Sequence, residues 1–345
     1  MFSRRISTIE WTKSLLMLTS AFAALSYFLV EKPFLKLKDR LDGRNHFDHG
    51  GRPPGTYSPI PLLESILSLV SLRRYEAISR LRNRSPFANR LAVRVGNLFR
   101  NRNLIIQRGA GKGVRFNPGH GYISQALGTW EPDVIDTLGE ILKPGMTFCD
   151  IGANNGFFSI IGAKLVGPDG AVYAIDPLPV NIGEIRNNVR LNDFRNVNVY
   201  EIAMGAVNGK AKLSVSANSG MSRLADVSDA PDCMRTIDVD VRTLDALVEA
   251  NGLRDPDFIK IDAEGAEAFI LEGAVNVIQR SHPVLLIELH ATNQAVERIL
   301  TRLGYGIKPL ENPEGSIMDV GMTGHIVARW AARAAEDRLP ETQQF

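Results

Sequence analysis

The sequence predicts an α/β fold whose core is a mostly parallel β-sheet covered by helices on both faces. From about residue 104 onward, short apolar runs alternate with segments of helical periodicity, which is the pattern of repeated βαβ units. Strands joined through helices run parallel, and parallel sheets are buried on both faces. At 345 residues, the chain is long enough for one large domain or two ordinary ones.

The elements follow one another in a regular order. The expected strands are residues 146–151, 171–175, 197–203, 258–261 and 284–289. The helical segments between and after them are residues 156–166, 179–193, 265–280 and 291–303. Between the third and fourth strands, "KLSVS" and "TIDVDVRTL" indicate added strands or a hairpin. Two short strands, "YGIKPL" and "HIVARW", complete an expected seven-stranded sheet.

Charge is divided unevenly along the chain. Residues 1–130 carry a net charge of +14 and residues 131–345 a net charge of −12, although the whole chain sums to +2. Nine arginines lie between Arg73 and Arg102, against the single acid Glu76. This region predicts a solvated helical face, a surface held against anionic lipid, or a nucleic-acid contact. Two cysteines without metal-type spacing argue against a disulfide framework.

An apolar segment near the amino end predicts a membrane span over residues 11–30. "LLMLTSAFAALSYFLV" contains no charged residue, and the span reaches the thickness of a bilayer if Lys13 extends towards the headgroups. A cleaved signal peptide and a buried helix are the alternatives, but no small-residue cleavage site follows. Lys and Arg are more numerous after the segment than before it, which predicts a bacterial inner-membrane protein with its catalytic domain in the cytoplasm.

These features divide the chain into four parts. Residues 1–41 are the expected membrane anchor, and residues 42–103 are a Gly- and Pro-rich linker followed by a basic helical arm. Residues 104–330 are the expected α/β domain, and residues 331–345 are a C-terminal tail. The oligomeric state does not follow from the sequence.

The stretch "FCDIGANNGFFS", residues 148–159, is the first along the chain that indicates a ligand-binding site. In a doubly wound sheet, ligands bind beyond the carboxyl ends of the strands, and Gly152 and Gly156 allow a tight turn there. A dinucleotide-binding loop would have the spacing G-x-G-x-x-G, whereas this loop has G-x-x-x-G. Asp150, directly before the loop, would repel phosphates and suits a ligand with a cationic ammonium or sulfonium group.

An acid also ends the second strand. Asp176 closes "AVYAIDP", 24 residues after Gly152, and an acid at that place can accept hydrogen bonds from both hydroxyls of a ribose. Capping of the following helix is the alternative role, and the two roles are compatible. Acids at adjacent strand ends, one near a cation and one near a ribose, describe a site for S-adenosylmethionine.

The fourth and fifth strands bring further polar groups to the same edge. In "DFIKIDAEGAEAF", Lys260 and Asp262 share one face because strand side chains alternate. Glu267 is expected in the first turn of the next helix, where it counters the helix dipole. The fifth strand, "LLIELH", ends at the same edge with Glu288 and His290. The candidate catalytic residues are Lys260, Asp262, Glu264 and His290.

Residues of about 104–305 resemble the FkbM family of S-adenosylmethionine-dependent methyltransferases. The matching pieces are "LGTWEPDV", "LKPGMTFCDIGANNGFFSI", "AIDPLPVNIGEIRNNVRLN", "GMSRL", "VDVRTLDAL", "FIKIDAEGAEAFILEGA" and "HPVLLIELH". The resemblance implies a Rossmann-like class I methyltransferase fold and O-methylation of sugars, glycolipids or polyketides. It also implies that the cofactor is bound by Asp150, Gly152, Asn154, Gly156, Asp176 and Glu131. Asp176 stands where the family commonly has Glu, but the shorter carboxylate can still reach a ribose.

A second resemblance is confined to the predicted anchor. "ALSYFLVEKPFLKLKDRL", within residues 11–41, is similar to the last transmembrane helix and tail of the membrane acyltransferases that acylate cell-surface glycans. The catalytic parts of that family are absent from this sequence. The resemblance therefore implies an anchor and no acyl transfer.

Methyl transfer to a hydroxyl requires an acceptor oxygen in line with the methyl carbon and a base that takes its proton. Asp262 is the first candidate for that base, followed by Glu264 and His290, and Lys260 could orient Asp262 or steady developing charge. Nothing in the sequence demands a metal, although a cation held by Asp262 and Glu264 stays open. The expected partners are a glycan or lipid-linked sugar acceptor and an anionic membrane surface, and no nucleic acid is expected.

Other functions remain as alternatives. A nucleic-acid N-methyltransferase would carry a D/N-P-P-Y/F loop after the fourth strand, but the nearest sequence, "DPDF", precedes that strand. A nicotinamide dehydrogenase would need the three-glycine loop. A membrane-anchored S-adenosylmethionine-binding module without catalysis would share the cofactor residues, as would an N-methyltransferase with a different acceptor.

Overall fold

The computed structural model describes residues 99–119, 121–216, 222–224, 233–321 and 323–331, together with residue 90. The predicted anchor and linker, most of the basic arm and nearly all of the tail lie outside these residues. Within the described part of the chain, no helix is long and apolar enough to cross a membrane. The span over residues 11–30, its resemblance to an acyltransferase helix and the four-part division of the chain stay predictions.

Strands and helices alternate along the described residues. The strands are β1 (Leu104–Ile105), β2 (Arg115–Phe116), β3 (Thr147–Ile151), β4 (Ala171–Ile175), β5 (Val197–Tyr200), β6 (Ala203–Met204), β7 (Gly209–Ser216), β8 (Arg223–Leu224), β9 (Cys233–Arg242), β10 (Phe258–Ile261), β11 (Val284–His290), β12 (Tyr305–Pro309) and β13 (Thr323–Trp330). The helices are α1 (Ile123–Leu127), α2 (Pro132–Ile141), α3 (Phe157–Val166), α4 (Pro179–Leu191), α5 (Leu244–Asn251), α6 (Glu267–Glu272), α7 (Val275–Ser281) and α8 (Asn293–Arg302).

The central sheet has seven strands in the order β12-β13-β11-β10-β3-β4-β5. All neighbours from β11 to β5 are parallel, and β13 runs antiparallel to both β11 and β12. This confirms the expected mostly parallel, seven-stranded, Rossmann-like sheet. The chain winds outward from β3 through β4 to β5 and then returns to β10 on the other side of β3. Such a reversal of winding opens a crevice at the carboxyl ends of the strands.

Helices cover both faces of this sheet, as predicted. Side chains alternate along β3, so Phe148 and Asp150 face α3 while Cys149 and Ile151 face the opposite side. On the α3 side, Gly162 has no room for a Cβ against the Phe148 ring. On the other side, Cys149 and Ile151 belong to one core cluster with residues of α5, α6, α7 and α8.

Two predicted elements are divided in the structure. The segment expected as one helix over residues 265–280 forms α6 and α7, which meet at Gly273. A Cβ on Gly273 would collide with the carbonyl oxygen of Gly205. The segment expected as one strand over 197–203 splits into β5, at the edge of the central sheet, and β6, which joins a second sheet.

That second sheet contains the strands that interrupted the βαβ pattern. Its order is β6-β9-β7-β8, and β7 pairs with β9 along nearly its full length. A small core of Leu178, Ala203, Leu213, Val239 and Val241 packs between this sheet and the start of α4. The added strands therefore lie beside the carboxyl end of β4.

Candidate active site

The loop after β3 is fixed by a close approach to the end of β10. Gly152 has φ +80°, and a Cβ at this position would collide with the carbonyl oxygen of Asp262. The amides of Gly152 and Ala153 both donate to the carbonyl of Ile175, at 2.9 and 3.0 Å. Only glycine fits this backbone, because the position is both left-handed and in contact with a neighbouring chain segment.

Asp176 is buried and organises the end of β4. Its Oδ2 accepts a hydrogen bond from the amide of Asn154 at 2.9 Å, and its Oδ1 accepts from the amide of Leu178 and from Asn181 Nδ2 at 2.9 and 3.0 Å. Burial outweighs these hydrogen bonds and raises the pKa of Asp176 to about 7. The carboxylate thus braces the start of α4, and the same group lines a cavity.

This cavity lies at the carboxyl ends of β3, β4 and β10. It is open to solvent, and about 90 Å³ of it can hold the centres of water-sized groups. Five residues singled out by the sequence line it: Gly152, Asn154, Asp176, Asp262 and Glu264. Asn181 also lines it, and Asn181 Oδ1 is buried without a hydrogen-bond partner among the described residues.

Asp150, Gly156 and Glu131 are not among the residues that line this cavity. Gly156 is the N-cap of α3 with φ +79°. Asp150 is fully buried beneath the loop, and its Oδ2 accepts a hydrogen bond of 2.5 Å from the Ser159 hydroxyl. Its Oδ1 has no partner within the described part of the chain, and burial raises the pKa of Asp150 above its ordinary value. Direct cofactor contacts for these three residues stay predictions.

Lys260 is the buried cation of the site. It is 2% exposed, and its Nζ lies 3.1 Å from Asp262 Oδ2. Burial alone would lower the pKa of Lys260, but the carboxylates of Asp262 and Asp150 outweigh it and raise that pKa. Burial would likewise raise the pKa of Asp262, but the Lys260 ammonium outweighs it and lowers that pKa. Lys260 therefore holds Asp262 ionised and in place.

His290, at the end of β11, is fixed from α6. Its Nδ1 lies 3.1 Å from Glu267 Oε1, and Glu267 is fully buried and also accepts a hydrogen bond from the Thr292 hydroxyl. The Nε2 of His290 lies 3.7 Å from Glu264 Oε2 and 3.8 Å from Glu288 Oε1. Burial would lower the pKa of His290, but the hydrogen bond to Glu267 outweighs it and raises the pKa to about 9.

His325, on β13, is the corresponding histidine from the neighbouring strand. It is paired with Glu288 across the antiparallel β11–β13 ladder. Its Nδ1 lies 3.0 Å from Glu311 Oε1, and its Nε2 lies 3.7 Å from both Glu288 Oε2 and Glu131 Oε2. Burial, followed by the nearby Asp262 carboxylate, raises the pKa of Glu288 to about 8.

These side chains form one group, the carboxylate–histidine cluster. Its members are Glu131, Asp262, Glu264, Glu267, Glu288, His290, Glu311 and His325. Two subsets have ligand atoms close enough to share a metal ion: Glu131, Glu288 and His325, and Asp262, Glu288 and His290. Asp262 and Glu264 belong both to this cluster and to the wall of the cavity.

The sequence prediction missed part of this cluster. Glu267 was expected only to counter a helix dipole, but it is buried and holds His290. His325 and Glu311 were not selected, and Glu288 was noted at the edge without a role. No local motif marks His325, because its partners come together only through the pairing of β11 with β13.

Several residues of the site have a left-handed backbone. Glu131, Asn154 and Glu264 have φ values of 43°, 50° and 50°, and Ala291, directly after His290, has φ 60°. A side-chain-bearing residue in this region costs about 1–3 kcal/mol, and such residues concentrate at functional sites. Three of these four had been selected from the sequence as site residues.

The comparisons with known proteins indicate a methyltransferase. Residues 150–307 match the family model described as the methyltransferase FkbM domain. The match covers a little under half of the chain and supports a methyltransferase domain whose cofactor is S-adenosylmethionine. The match begins at Asp150 and includes α3 to α8 and the ends of β4, β10 and β11.

Individual curated relatives match shorter stretches of the chain. The chain is 35% identical over 103 residues to an arsenite methyltransferase of Halobacterium salinarum, which covers 30% of this chain and 25% of that protein. It is 39% identical over 71 residues to the ribosomal RNA large subunit methyltransferase E of Acinetobacter baumannii, which covers 21% of this chain and 32% of that protein. The chain thus spans about a quarter to a third of these two curated relatives.

Among solved structures, a crystal structure of methyltransferase FkbM from Methylobacillus flagellatus KT is similar to this chain. The two are 18% identical, and the match covers 60% of this chain and 54% of that chain with a TM-score of 0.38.

Proposed function

We propose that the protein is an S-adenosylmethionine-dependent O-methyltransferase that acts on a hydroxyl group of a sugar, glycan or glycolipid. One observation carries this proposal: Asp262 and Glu264 line the cavity at the switch point of the sheet and also belong to the carboxylate–histidine cluster. The cofactor cavity and an acidic site for an acceptor therefore share one wall.

The residues of the cavity fit the cofactor. The buried Asp176 carboxylate can accept hydrogen bonds from ribose hydroxyls, and the unpartnered Asn181 Oδ1 offers a further acceptor. Asp262 and Glu264 make the cavity wall acidic, which favours a cationic ligand over the phosphates of a dinucleotide. When bound, S-adenosylmethionine supplies an electrophilic methyl group.

The carboxylate–histidine cluster favours a neutral acceptor rich in hydroxyls. Carboxylates accept hydrogen bonds from hydroxyl donors, and these bonds are stronger than those between neutral groups. The same negative charge would repel the phosphodiester backbone of a nucleic acid, whose binding depends on Lys and Arg contacts. These two arguments support a glycan or glycolipid hydroxyl over a nucleic-acid base.

We assign the proton-accepting role to Glu264. The Asp262 carboxylate is held by Lys260 at 3.1 Å, so it is better suited to orienting the acceptor than to taking a proton. His290 is hydrogen-bonded to Glu267 and faces two further carboxylates, an environment that favours the imidazolium. Of the other carboxylates on the cavity wall, Asp176 is held by hydrogen bonds at the end of β4, which leaves Glu264 for this role. Its position would allow proton removal as the acceptor oxygen attacks.

The function can be tested with cells that carry or lack the gene. Mass spectrometry of their surface glycans and glycolipids should show a methyl group that disappears with the gene. It should return with the wild-type gene and not with Asp176→Ala, whereas Asp238→Ala, at an exposed position of β9, should restore it. Methylation that persists without the gene in every glycan and lipid fraction would contradict the proposed acceptor class.

The proposed location is the inner membrane, with the methyltransferase domain on the cytoplasmic side. The apolar residues 15–30 and the Arg73–Arg102 region support a span followed by a basic arm along anionic headgroups, where each basic residue adds about 1 kcal/mol. Such an arm would hold the domain near a lipid-linked acceptor. Full-length protein should stay in the membrane fraction after a carbonate wash, and release by that wash would exclude the span.

A further inference from the structure

The two histidines of the carboxylate–histidine cluster are held in the same way. In each ring, Nδ1–H can donate a hydrogen bond to a carboxylate: Glu267 would accept from His290 at 3.1 Å and Glu311 from His325 at 3.0 Å. Each then directs Nε2 towards opposite oxygens of one carboxylate, Glu288, at 3.8 and 3.7 Å. A carboxylate on Nδ1 that fixes the ring and leaves Nε2 for a ligand is the usual second shell of a metal-binding histidine.

Polar atoms at the centre of the cluster lack partners. His325 is 8% exposed, and its Nε2 is buried without a hydrogen-bond partner among the described residues. Glu131 Oε2, 3.7 Å from that nitrogen, is buried and unpartnered in the same part of the chain. Separations of 3.7 Å are too long for a hydrogen bond. They suit two atoms that each lie about 2.0–2.2 Å from one metal ion.

The charge of the cluster also favours a bound cation. Its carboxylates are Glu131, Asp262, Glu264, Glu267, Glu288 and the half-exposed Glu311. The opposite charge beside them is that of Lys260 and, without a metal ion, of protonated His290. Buried charges of one sign are costly unless opposite charge compensates them. A divalent cation among Glu131, Glu288 and His325 would supply that charge at the unpartnered atoms. Asp262, Glu288 and His290 form a second set of atoms that could share an ion.

We propose that the carboxylate–histidine cluster binds a divalent transition-metal ion, with His325, His290, Glu131, Glu288 and Asp262 as its ligands. Glu288 is the ligand common to both subsets, so the site can hold one ion or two. Imidazole nitrogen together with carboxylate oxygen favours ions such as Mn²⁺, Co²⁺ or Zn²⁺ over Mg²⁺ and Ca²⁺.

The ion would stand beside the cofactor cavity, because Asp262 belongs to both sites. There it would bind the acceptor oxygen, lower its pKa and leave Glu264 to take the proton. This part of the inference rests on the proposed function, whereas the existence of the metal site does not.

Metal binding can be measured directly on full-length, chelator-treated protein purified in detergent. Titration with Co²⁺ should give visible absorbance bands of nitrogen- and oxygen-coordinated cobalt, and Zn²⁺ should abolish them by displacement. His325→Gln should lose most of this binding. Glu311→Gln keeps the proposed metal ligands but removes the carboxylate that orients the His325 ring. It should weaken Co²⁺ binding by about 10–100-fold.

His282→Asn is the matched control, because His282 stacks on Trp330 away from the cluster. This variant should bind Co²⁺ like the wild type. Every variant should keep its affinity for S-adenosylmethionine, measured by calorimetry. Retained affinity would show that the variant is folded. Wild-type binding no tighter than that of His325→Gln, or binding of Mg²⁺ alone, would overturn the proposed site.

Measurements of methyl transfer distinguish the proposed metal site from the proposed function. Metal binding without methyl transfer to any hydroxyl acceptor would leave the metal site standing and count against the proposed function. Methyl transfer that is unchanged after complete metal removal would overturn the catalytic role of the ion.

Discussion

The proposed cofactor side and the proposed acceptor side of the site are built differently. On the cofactor side, Asp176 binds Asn154, Leu178 and Asn181, so the interactions join two consecutive strand ends. On the acceptor side, the cluster combines residues from Glu131 to His325, from the start of α2 to β13. Local motifs can encode the first kind of site, whereas the second depends on the order of strands in the sheet.

The two sides meet where Gly152 contacts the backbone of Asp262. They should nevertheless respond separately to mutation, because cofactor binding and proton transfer use different side chains. The predictions that follow test this separation, beginning with the largest expected effect.

Glu264→Gln should lower methyl transfer by about 10²–10⁴-fold, the range expected for loss of a general base. Cofactor affinity should fall only slightly, because the amide keeps the shape of the side chain and Asp262 keeps the cavity wall acidic. Single-turnover kinetics with calorimetry for S-adenosylmethionine would measure both quantities. If Glu264→Gln turns over normally and Asp262→Asn is inactive, the base is Asp262 instead.

Gly152→Ala should damage both sides at once. The left-handed backbone and the collision with the Asp262 carbonyl predict a loss of about 2–4 kcal/mol in the free energy of unfolding. Gly183→Ala, at an exposed position of α4 with open space around it, should instead gain about 0.5–1 kcal/mol. Urea denaturation of the two variants compares them, and equal stability would show that the loop moves freely away from β10.

Asp176→Ala should weaken S-adenosylmethionine binding by about 1.5–3 kcal/mol, the scale of hydrogen bonds to a charged group. Binding of Co²⁺ at the carboxylate–histidine cluster should persist, because no cluster residue contacts Asp176 through the hydrogen bonds described. Calorimetry with each ligand checks the separation. Loss of both ligands would indicate that the variant is misfolded or that the two sides are coupled.

The pH dependence of cofactor binding should report the pKa of Asp176, which is raised to about 7. Because the ribose hydroxyls prefer the carboxylate, affinity should rise by about 10-fold from pH 6 to pH 8. The folded, cofactor-free protein holds this proton more tightly than the unfolded chain, so the stability contributed by Asp176 should fall as pH rises from about 4 to about 7. Calorimetric titrations at several pH values should show the rise, and Asp176→Asn should abolish it.

The sequence by itself determined the α/β class, the order of the main elements and several of the residues that line the cavity. Strand periodicity identified β3, β4, β10 and β11, and Gly152 and Asp176 follow directly from the ends of two of these strands. Such features are local. A glycine marks a tight turn, and an acid at the end of a strand is recognised once the strand itself has been predicted. Asp262 and Glu264 were also recognised, because they immediately follow β10.

Only the tertiary structure decided the rest of the cluster. Pairing of β13 with β11 sets His325 opposite Glu288, and the approach of α6 to the end of β11 sets Glu267 beside His290. The break at Gly273 and the passage of β6 into a second sheet likewise depend on packing between distant segments. These contacts join residues far apart in sequence, and no spacing within a single segment encodes them.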